Sequence, residues 1–325
     1  MVQTSSLSKP KLLVIAGPTA VGKTKLALEL FDKLNCELIS ADSMQVYRNC
    51  DIGTAKLNKD LLKKYPHHNI DILNIEEEYS TAIFKENVAK IIQEANINNK
   101  LPIIVGGTGL YIESLLFPYD FAHCEKDELY RKELQNFYNE NGKDKLFEML
   151  KNKDENLALQ IDKNNIKKII RALEIIKHKE VNPNNEIIRN NFEKESPYDY
   201  FIMFISKNRE ELYKVINKRV DEMINIGLVE EAKMIWEKQK QTDKFIQVSS
   251  AIGYKEFFDY FNNNSTLEEC IDKVKQHSRN YAKRQITWYN RYTKNIERVD
   301  NNGESDYQLI INNILLKYNE YKKNL

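Results

Sequence analysis

Residues 17–24 read GPTAVGKT, between an apolar run, KLLVIAG, and a segment, GKTKLALELFDKL, that repeats Leu26, Leu30 and Leu34 at helical spacing. This is G-x-x-x-x-G-K-[ST] in its strand-to-helix context, a loop whose backbone N–H groups turn inward on phosphate oxygens. No other feature constrains the chain as much, because it demands a buried parallel strand, a glycine turn and a helix in succession. Gly17, Pro18, Thr19, Ala20, Val21, Gly22, Lys23 and Thr24 are therefore candidate phosphate-binding residues. The helix N-terminus adds partial positive charge, Lys23 a full charge, and the Thr24 hydroxyl a ligand for Mg²⁺. The motif specifies a phosphate, not which phosphate.

Further strand-helix alternation follows. CELISAD reads as a second strand ending in an acid, and YSTAIFKENVAKIIQEANIN as an amphipathic helix capped by Ser80 or Thr81. KLPIIVGGTGLYIESLL reads as strand, glycine turn and helix. The alternation implies an α/β fold, a P-loop parallel-sheet core flanked by helices. After FPYDF the chain turns charged and rich in Lys, Asn and Glu, which predicts a helical insertion domain over 123–196. YDYFIMFIS then returns to the sheet, and the chain from Asn208 onward reads as a helical C-terminal region. The expected organisation is a first core part over 1–122, the insertion, and a return strand with C-terminal helices over 197–325.

Across 325 residues the net charge is only +1, so a basic surface has to come from local clustering. Cys36, Cys50, Cys124 and Cys270 are too scattered for a zinc site and read as ordinary reduced thiols. The first ten residues carry no apolar signal segment, and no run has the length of a membrane span. A soluble, cytoplasmic monomer is expected, since no dimer seam is visible.

Asp42, at the end of the second strand, lies on the edge where open parallel sheets bind ligands. It could ligate metal or act as a base; equally, Asp42 or Ser43 could simply cap a helix. Gly106, Gly107 and Gly109 flank Thr108 on the same edge, more glycine than a plain turn needs, which suggests close approach of a ligand. No acid follows the LPIIVGG strand where an ATPase would need one. Near the C-terminus, Arg279, Lys283, Arg284 and Arg291 interleave with Tyr281, Trp288, Tyr289 and Tyr292. That pattern suits RNA, though an amphipathic helix would look similar. His67 and His68 have no third partner and read as structural rather than metal-binding.

Taken together, GPTAVGKT, ISADSMQVYRNCDIGTAK, HHNIDILNIEEEYSTAIF, GGTGLYIESLL, RALEI, RVDEMINIGLVEEA, AIGYKEF and YAKRQITW closely resemble the bacterial tRNA dimethylallyltransferases, in that family's order, from about residue 12 to 292. The resemblance implies transfer of a dimethylallyl group from dimethylallyl diphosphate to N6 of adenosine 37 in tRNAs reading codons that start with U. It implies Asp42 as the base, Thr108 as a contact to the substrate base, and Arg219 with Thr19 on the diphosphate, assisted by Mg²⁺. It implies a channel between core and insertion, with tRNA at one mouth and donor at the other. Carried over by position, the tRNA contacts are Asp42, Ser43, Met44, Gln45, Thr108, Arg131, Ile166, Lys167, Lys168, Ile169, Ile170, Ser250, Ala251, Ile252, Gly253, Tyr254, Lys255, Lys283, Arg284, Gln285, Ile286, Thr287, Trp288, Tyr289 and Asn290. The chain departs from the family pattern at Lys167–Lys168, where Gln-Arg is usual, and at Tyr289–Asn290, where Phe-Arg is usual. It also lacks the zinc finger of eukaryotic relatives. The competing readings are a P-loop small-molecule kinase, an enzyme prenylating free adenine nucleotides, and a pure RNA-binding module.

Overall fold

The computed structural model describes residues 9–118, 127–178 and 195–323. They fall into a larger unit, formed by the chain up to Leu116 and from Pro197 onward, and a smaller one, Phe117–Ser196. The first eight residues, Cys124 and the expected 122/123 boundary lie outside the described residues.

The first half of the larger unit runs β1 (Lys11–Ala16), α1 (Lys23–Lys33), β2 (Cys36–Ala41), α2 (Lys59–Lys64), β3 (His67–His68), α3 (Thr81–Ile97), β4 (Leu101–Gly106) and α4 (Gly109–Leu116). The smaller unit holds α5 (Glu128–Lys153), α6 (Glu155–Ala158) and α7 (Ile166–His178). The larger unit resumes with β5 (Asp199–Ser206), α8 (Arg209–Asn225), α9 (Leu228–Lys240), α10 (Phe258–Phe261), α11 (Leu267–Tyr289), β6 (Ile296–Asp300) and α12 (Glu304–Lys323).

The strands form one parallel sheet in the order β3-β2-β4-β1-β5-β6. β1 and β4 sit inside it with both faces covered, which is why KLLVIA and LPIIVG are continuous apolar runs rather than alternating ones. Leu13, Ile15, Ile103, Val105, Met203 and Ile205 form one face with Leu26 and Leu30 of α1 and Ile310, Ile311 and Ile314 of α12. Each such aliphatic side chain, once fully buried, contributes about 2 kcal/mol relative to exposure. α3 packs against β1, β2 and β4 and is capped by Ser80, whose hydroxyl accepts from the Ile83 N–H at 3.2 Å. Among the described residues no helix is long and apolar enough to cross a membrane.

Two strands escape the sequence reading. β6 lies in the tail expected to be entirely helical: IERVD is a short edge strand with a charged face, and pairing with β5 rather than local hydrophobicity selects it. β3 is two residues long and exists through pairing of His67 and His68 with Leu38 and Ile39.

The smaller unit has its own core of Leu134, Leu146, Leu150, Leu157, Ile169, Ile170 and Leu173. α5 bends at Gly142, whose backbone is left-handed (φ 80°). The segment expected to face RNA is divided by this core. Ile169 and Ile170 are buried in it and Ile166 packs against it, so these three hold the helix in place; Lys167 is exposed. Arg131 is likewise not a free cation. Its Nε and Nη2 each donate at 2.7 Å to the two oxygens of Glu174, a fully buried carboxylate that also accepts from Arg171 (2.6 Å) and the Asp127 N–H (2.8 Å). The RALEI segment thus supplies the unit's buried ionic hub, and a carboxylate so satisfied is held below the usual range despite burial.

Candidate functional site

The site lies at the carboxyl ends of β1, β2 and β4. β1 is followed by Gly17, where an added Cβ would stand 2.3 Å from the Ile205 carbonyl oxygen, so only glycine lets the loop leave the sheet there. Ala20 (φ 68°) and Gly22 (φ 103°) are both left-handed. An alanine in that region costs about 1 kcal/mol, and it persists because the loop is held from both sides. Asn301, just after β6, donates to the Val21 carbonyl at 3.0 Å. Gln285 of α11 accepts from the Thr19 N–H at 2.8 Å and donates to the Gly107 carbonyl at 3.1 Å. The Thr19 N–H is therefore engaged by protein and is not one of the amides open to a phosphate.

Lys23 folds back on its own loop, donating to the Gly17 and Pro18 carbonyls at 3.0 and 2.8 Å. Burial, then the nearby Arg219 charge, lowers its pKa to about 7, with Asp42 opposing. A neutral amine still has two N–H groups for those carbonyls. Arg219, on α8, reaches the Thr19 hydroxyl with Nη1 at 3.3 Å.

Asp42 directly follows β2. Its Oδ1 accepts from the Met44 N–H (2.8 Å) and the Gln45 N–H (3.3 Å), and so caps a turn; the helix that the capping alternative needed is not there. No hydrogen bond to Oδ2 is found among the described residues, and the residue lines the cavities described next. Burial raises its pKa, against the backbone N–H groups, Lys23 and Lys56.

Two cavities share this ground, and all the residues lining them belong to the larger unit. One, of about 260 Å³, is lined by the phosphate loop with Lys23, Thr24, Gln45, Gly106 and Gly107. The other, of about 290 Å³, is lined by Ser43, Met44, Gly53, Val220, Met223, Ser250 to Gly253, Lys255 and Arg284. Thr19, Asp42, Arg219 and Tyr281 line both, so the two adjoin across a common wall. Both lie within the larger unit, between the sheet edge and the C-terminal helices, and the expected channel between core and insertion is a different feature from this pair.

The glycine turn has a packing cause. A Cβ at Gly107 would stand 2.0 Å from Nε2 of Gln285, and one at Gly109 2.2 Å from the Trp288 ring; one at Gly106 would strike the Ala41 carbonyl. These glycines admit α11 and β2, and Gly106 and Gly107 also line the first cavity. The same packing sorts α11 into two faces. Lys283, Arg284, Thr287 and Asn290 are exposed, whereas Gln285 and Tyr289 are buried, Tyr289 against Phe204, and Ile286 packs on the core. Trp288 lies under the Arg291 guanidinium at 4.0 Å. As side-chain contacts to RNA, Gln285 and Tyr289 are thus corrected to internal packing.

The 250–255 segment divides similarly. Ser250 and Lys255 are exposed, and Ala251, Ile252 and Gly253 line the second cavity. Tyr254 is fully buried, its hydroxyl donating to Glu231 at 2.7 Å, so it too is internal. Glu231 went unnoticed in the sequence. It accepts from the Asp51, Ile52 and Gly53 N–H groups at 2.8, 2.9 and 2.8 Å, pinning the loop that walls both cavities. The same loop is braced by Lys56, only 1% exposed, bonded to Asp51, Asp71 and the Tyr47 carbonyl. Gln45 is held by Ser40 (3.0 Å) and by the Thr54 carbonyl (3.1 Å). The Thr108 hydroxyl is buried at the same edge. His67 donates from Nδ1 to the Tyr65 carbonyl (2.7 Å) and His68 meets Glu37 (3.1 Å).

A Mg²⁺ fits only as a partner of a bound diphosphate. Thr24 offers one exposed hydroxyl in the first cavity, and no group of three or more His, Cys, Asp or Glu able to hold a metal occurs among the described residues.

A family model described as IPP transferase matches residues 45–292. A tRNA dimethylallyltransferase of Bacillus cereus is 46% identical over 283 residues, 87% of this chain and 88% of that relative. One from Bacillus anthracis is 44% identical over the same shares. Among solved structures, the tRNA isopentenylpyrophosphate transferase of Bacillus halodurans has a TM-score of 0.69 and 40% identity, covering 97% of this chain and 99% of its own. A eukaryotic dimethylallyltransferase acting on tRNA has a TM-score of 0.79 and 27% identity, covering 97% of this chain and 80% of its own. With a phosphate loop at the sheet edge, a paired cavity behind it and relatives matched over most of their length, the chain belongs to the IPP transferase family.

Proposed function

We propose that this chain transfers the dimethylallyl group of dimethylallyl diphosphate to N6 of adenosine 37 in tRNAs that read codons starting with U. The observation that carries this reading is the common wall of the two cavities. There a half-buried carboxylate, Asp42, stands between a cationic phosphate loop and a second chamber bordered by Arg284. A kinase would also need a second chamber, for its phosphate acceptor; the tRNA dimethylallyltransferases matched over 87% of the chain favour the prenyl reading.

In this reading the first cavity takes the diphosphate. Lys23, Arg219 and the inward N–H groups of the loop stabilise charge that grows on the leaving group as the allylic C–O bond breaks. The second cavity takes adenine turned out of the anticodon loop, since N6 cannot be reached in a stack. The carbon–N6 bond forms at the shared wall, and the N6 proton passes to Oδ2 of Asp42 and on to solvent. Burial makes that carboxylate a better acceptor than an exposed one. Mg²⁺ bound with the diphosphate near Thr24 would supply further neutralisation of the leaving group. Tyr281 borders the base, its hydroxyl pushed up to about 12 by burial and by Asp42, so it stays a neutral donor. Release of pyrophosphate that requires both tRNA and dimethylallyl diphosphate tests the reading; release from donor alone, or turnover of ATP in its place, contradicts it.

The Lys23 pKa gives a pH signature. An ordinary lysine, near 10.5, is charged throughout the physiological range; this one, near 7, loses its proton as pH rises through neutrality. A bound diphosphate favours the ammonium form. Binding of pyrophosphate at about pH 8 is therefore expected to take up a proton, and affinity to fall by up to about tenfold per pH unit above neutrality. Calorimetry in buffers of different ionisation enthalpy measures the uptake, and Lys23→Met should remove it.

The exposed Lys167 of α7 and its neighbour Lys168 are proposed to meet RNA phosphates. Lys167→Ala/Lys168→Ala is expected to reduce the salt slope of tRNA binding by about one to two. An unchanged slope across a salt series would make these lysines a solvated helix face.

A further inference from the structure

Gln285 sits at the point where the phosphate loop, the glycine turn and α11 meet. Its side chain is 5% exposed, and both ends of its amide are used: Oε1 accepts from the Thr19 N–H at 2.8 Å and Nε2 donates to the Gly107 carbonyl at 3.1 Å. Thr19 is also the residue whose hydroxyl meets Arg219. The partner of Gln285 in the loop lies 266 residues away in the chain, and the next residue, Ala20, is held at positive φ. The neighbours of Gln285 on α11, Lys283, Arg284 and Thr287, face solvent. One amide thus ties the phosphate loop to the helix that presents the basic face.

We infer that Gln285 is a positioning residue for the diphosphate, acting through Thr19 and Gly107 to set the shape of the phosphate loop. It does not read an RNA base: its amide is buried, with Oε1 turned to the Thr19 N–H and Nε2 to the Gly107 carbonyl. Without it, the buried Thr19 N–H loses its partner and Ala20 is no longer held on one side, so the loop relaxes away from the geometry a diphosphate needs. The inference rests on the diphosphate reading of the first cavity.

The test compares wild type, Gln285→Met and Gln285→Glu. Met keeps the volume and removes both hydrogen bonds. Glu keeps an acceptor for Thr19 but repels the Gly107 carbonyl and adds an anion beside the diphosphate, and it keeps the test open where the Met variant fails to fold. Magnesium pyrophosphate binding without RNA, KM and kcat for dimethylallyl diphosphate at saturating tRNA, and tRNA affinity are measured together. The expected result is a rise of about tenfold or more in the pyrophosphate Kd and the donor KM, with tRNA Kd within about threefold. An unchanged pyrophosphate Kd with weakened tRNA binding overturns the inference in favour of base contact. Parallel loss of both affinities with a lowered Tm overturns it in favour of bulk packing. Failure of wild type to bind magnesium pyrophosphate would instead count against the diphosphate reading itself.

Discussion

Asp42→Ala is expected to lower kcat by about a hundredfold or more while tRNA affinity stays within a few-fold, the range for a lost general base. Adenine N6 is a weak nucleophile because its lone pair is delocalised into the ring, so a base against its N–H contributes to the rate directly. The two oxygens of Asp42 have different tasks. Oδ1 caps the turn at Met44 and Gln45, and Oδ2 is the atom left for the substrate. Asp42→Asn separates them, because an amide oxygen still caps the turn but cannot take a proton. Asn should therefore lose nearly as much turnover as Ala while leaving Tm close to wild type. Recovery of most activity in Asn would assign the residue to the turn alone.

The second large effect belongs to the leaving group. Lys23→Ala and Arg219→Ala are each expected to cost about two to three orders of magnitude in kcat/KM for dimethylallyl diphosphate, the scale of a lost preorganised donor to developing charge. Both groups are drawn out of water, Lys23 enough to titrate near neutrality and Arg219 shifted downward by burial. A half-buried cation of this kind is costly until an anion arrives, so its contribution is concentrated on the bound and reacting states. tRNA binding should move little in either variant. Steady-state kinetics with each substrate varied in turn distinguishes this from a shared loss of folding, which would depress both.

The legible parts of the sequence are those where chemistry is local. The phosphate loop is a contiguous octapeptide, and Asp42 follows its strand directly, so spacing alone placed both on the same edge. The α/β alternation was equally local, because continuous apolar runs mark strands buried on both faces. What remained hidden depends on residues far apart. Gln285 meets Thr19, and Glu231 gathers three N–H groups from residues 51–53. Neither has a periodicity or neighbour that announces its partner. The packing at Gly107 and Gly109 was hidden for the same reason: glycine reports that something comes close, and here a helix about 180 residues later does. The positional carry-over of RNA contacts could not separate exposed Lys283 and Arg284 from buried Gln285 and Tyr289, because that division is set by which side of α11 the sheet occupies. β6 was missed because edge pairing, not composition, makes it a strand.

The most direct measurement is mass analysis of nucleosides from tRNA incubated with the protein, Mg²⁺ and isotopically labelled dimethylallyl diphosphate. The account predicts a single modified nucleoside, adenosine heavier by one labelled dimethylallyl group at N6, located at position 37 and absent with Asp42→Asn. Unmodified tRNA alongside label on free adenine nucleotides, or a phosphorylated small molecule formed from ATP, would contradict it.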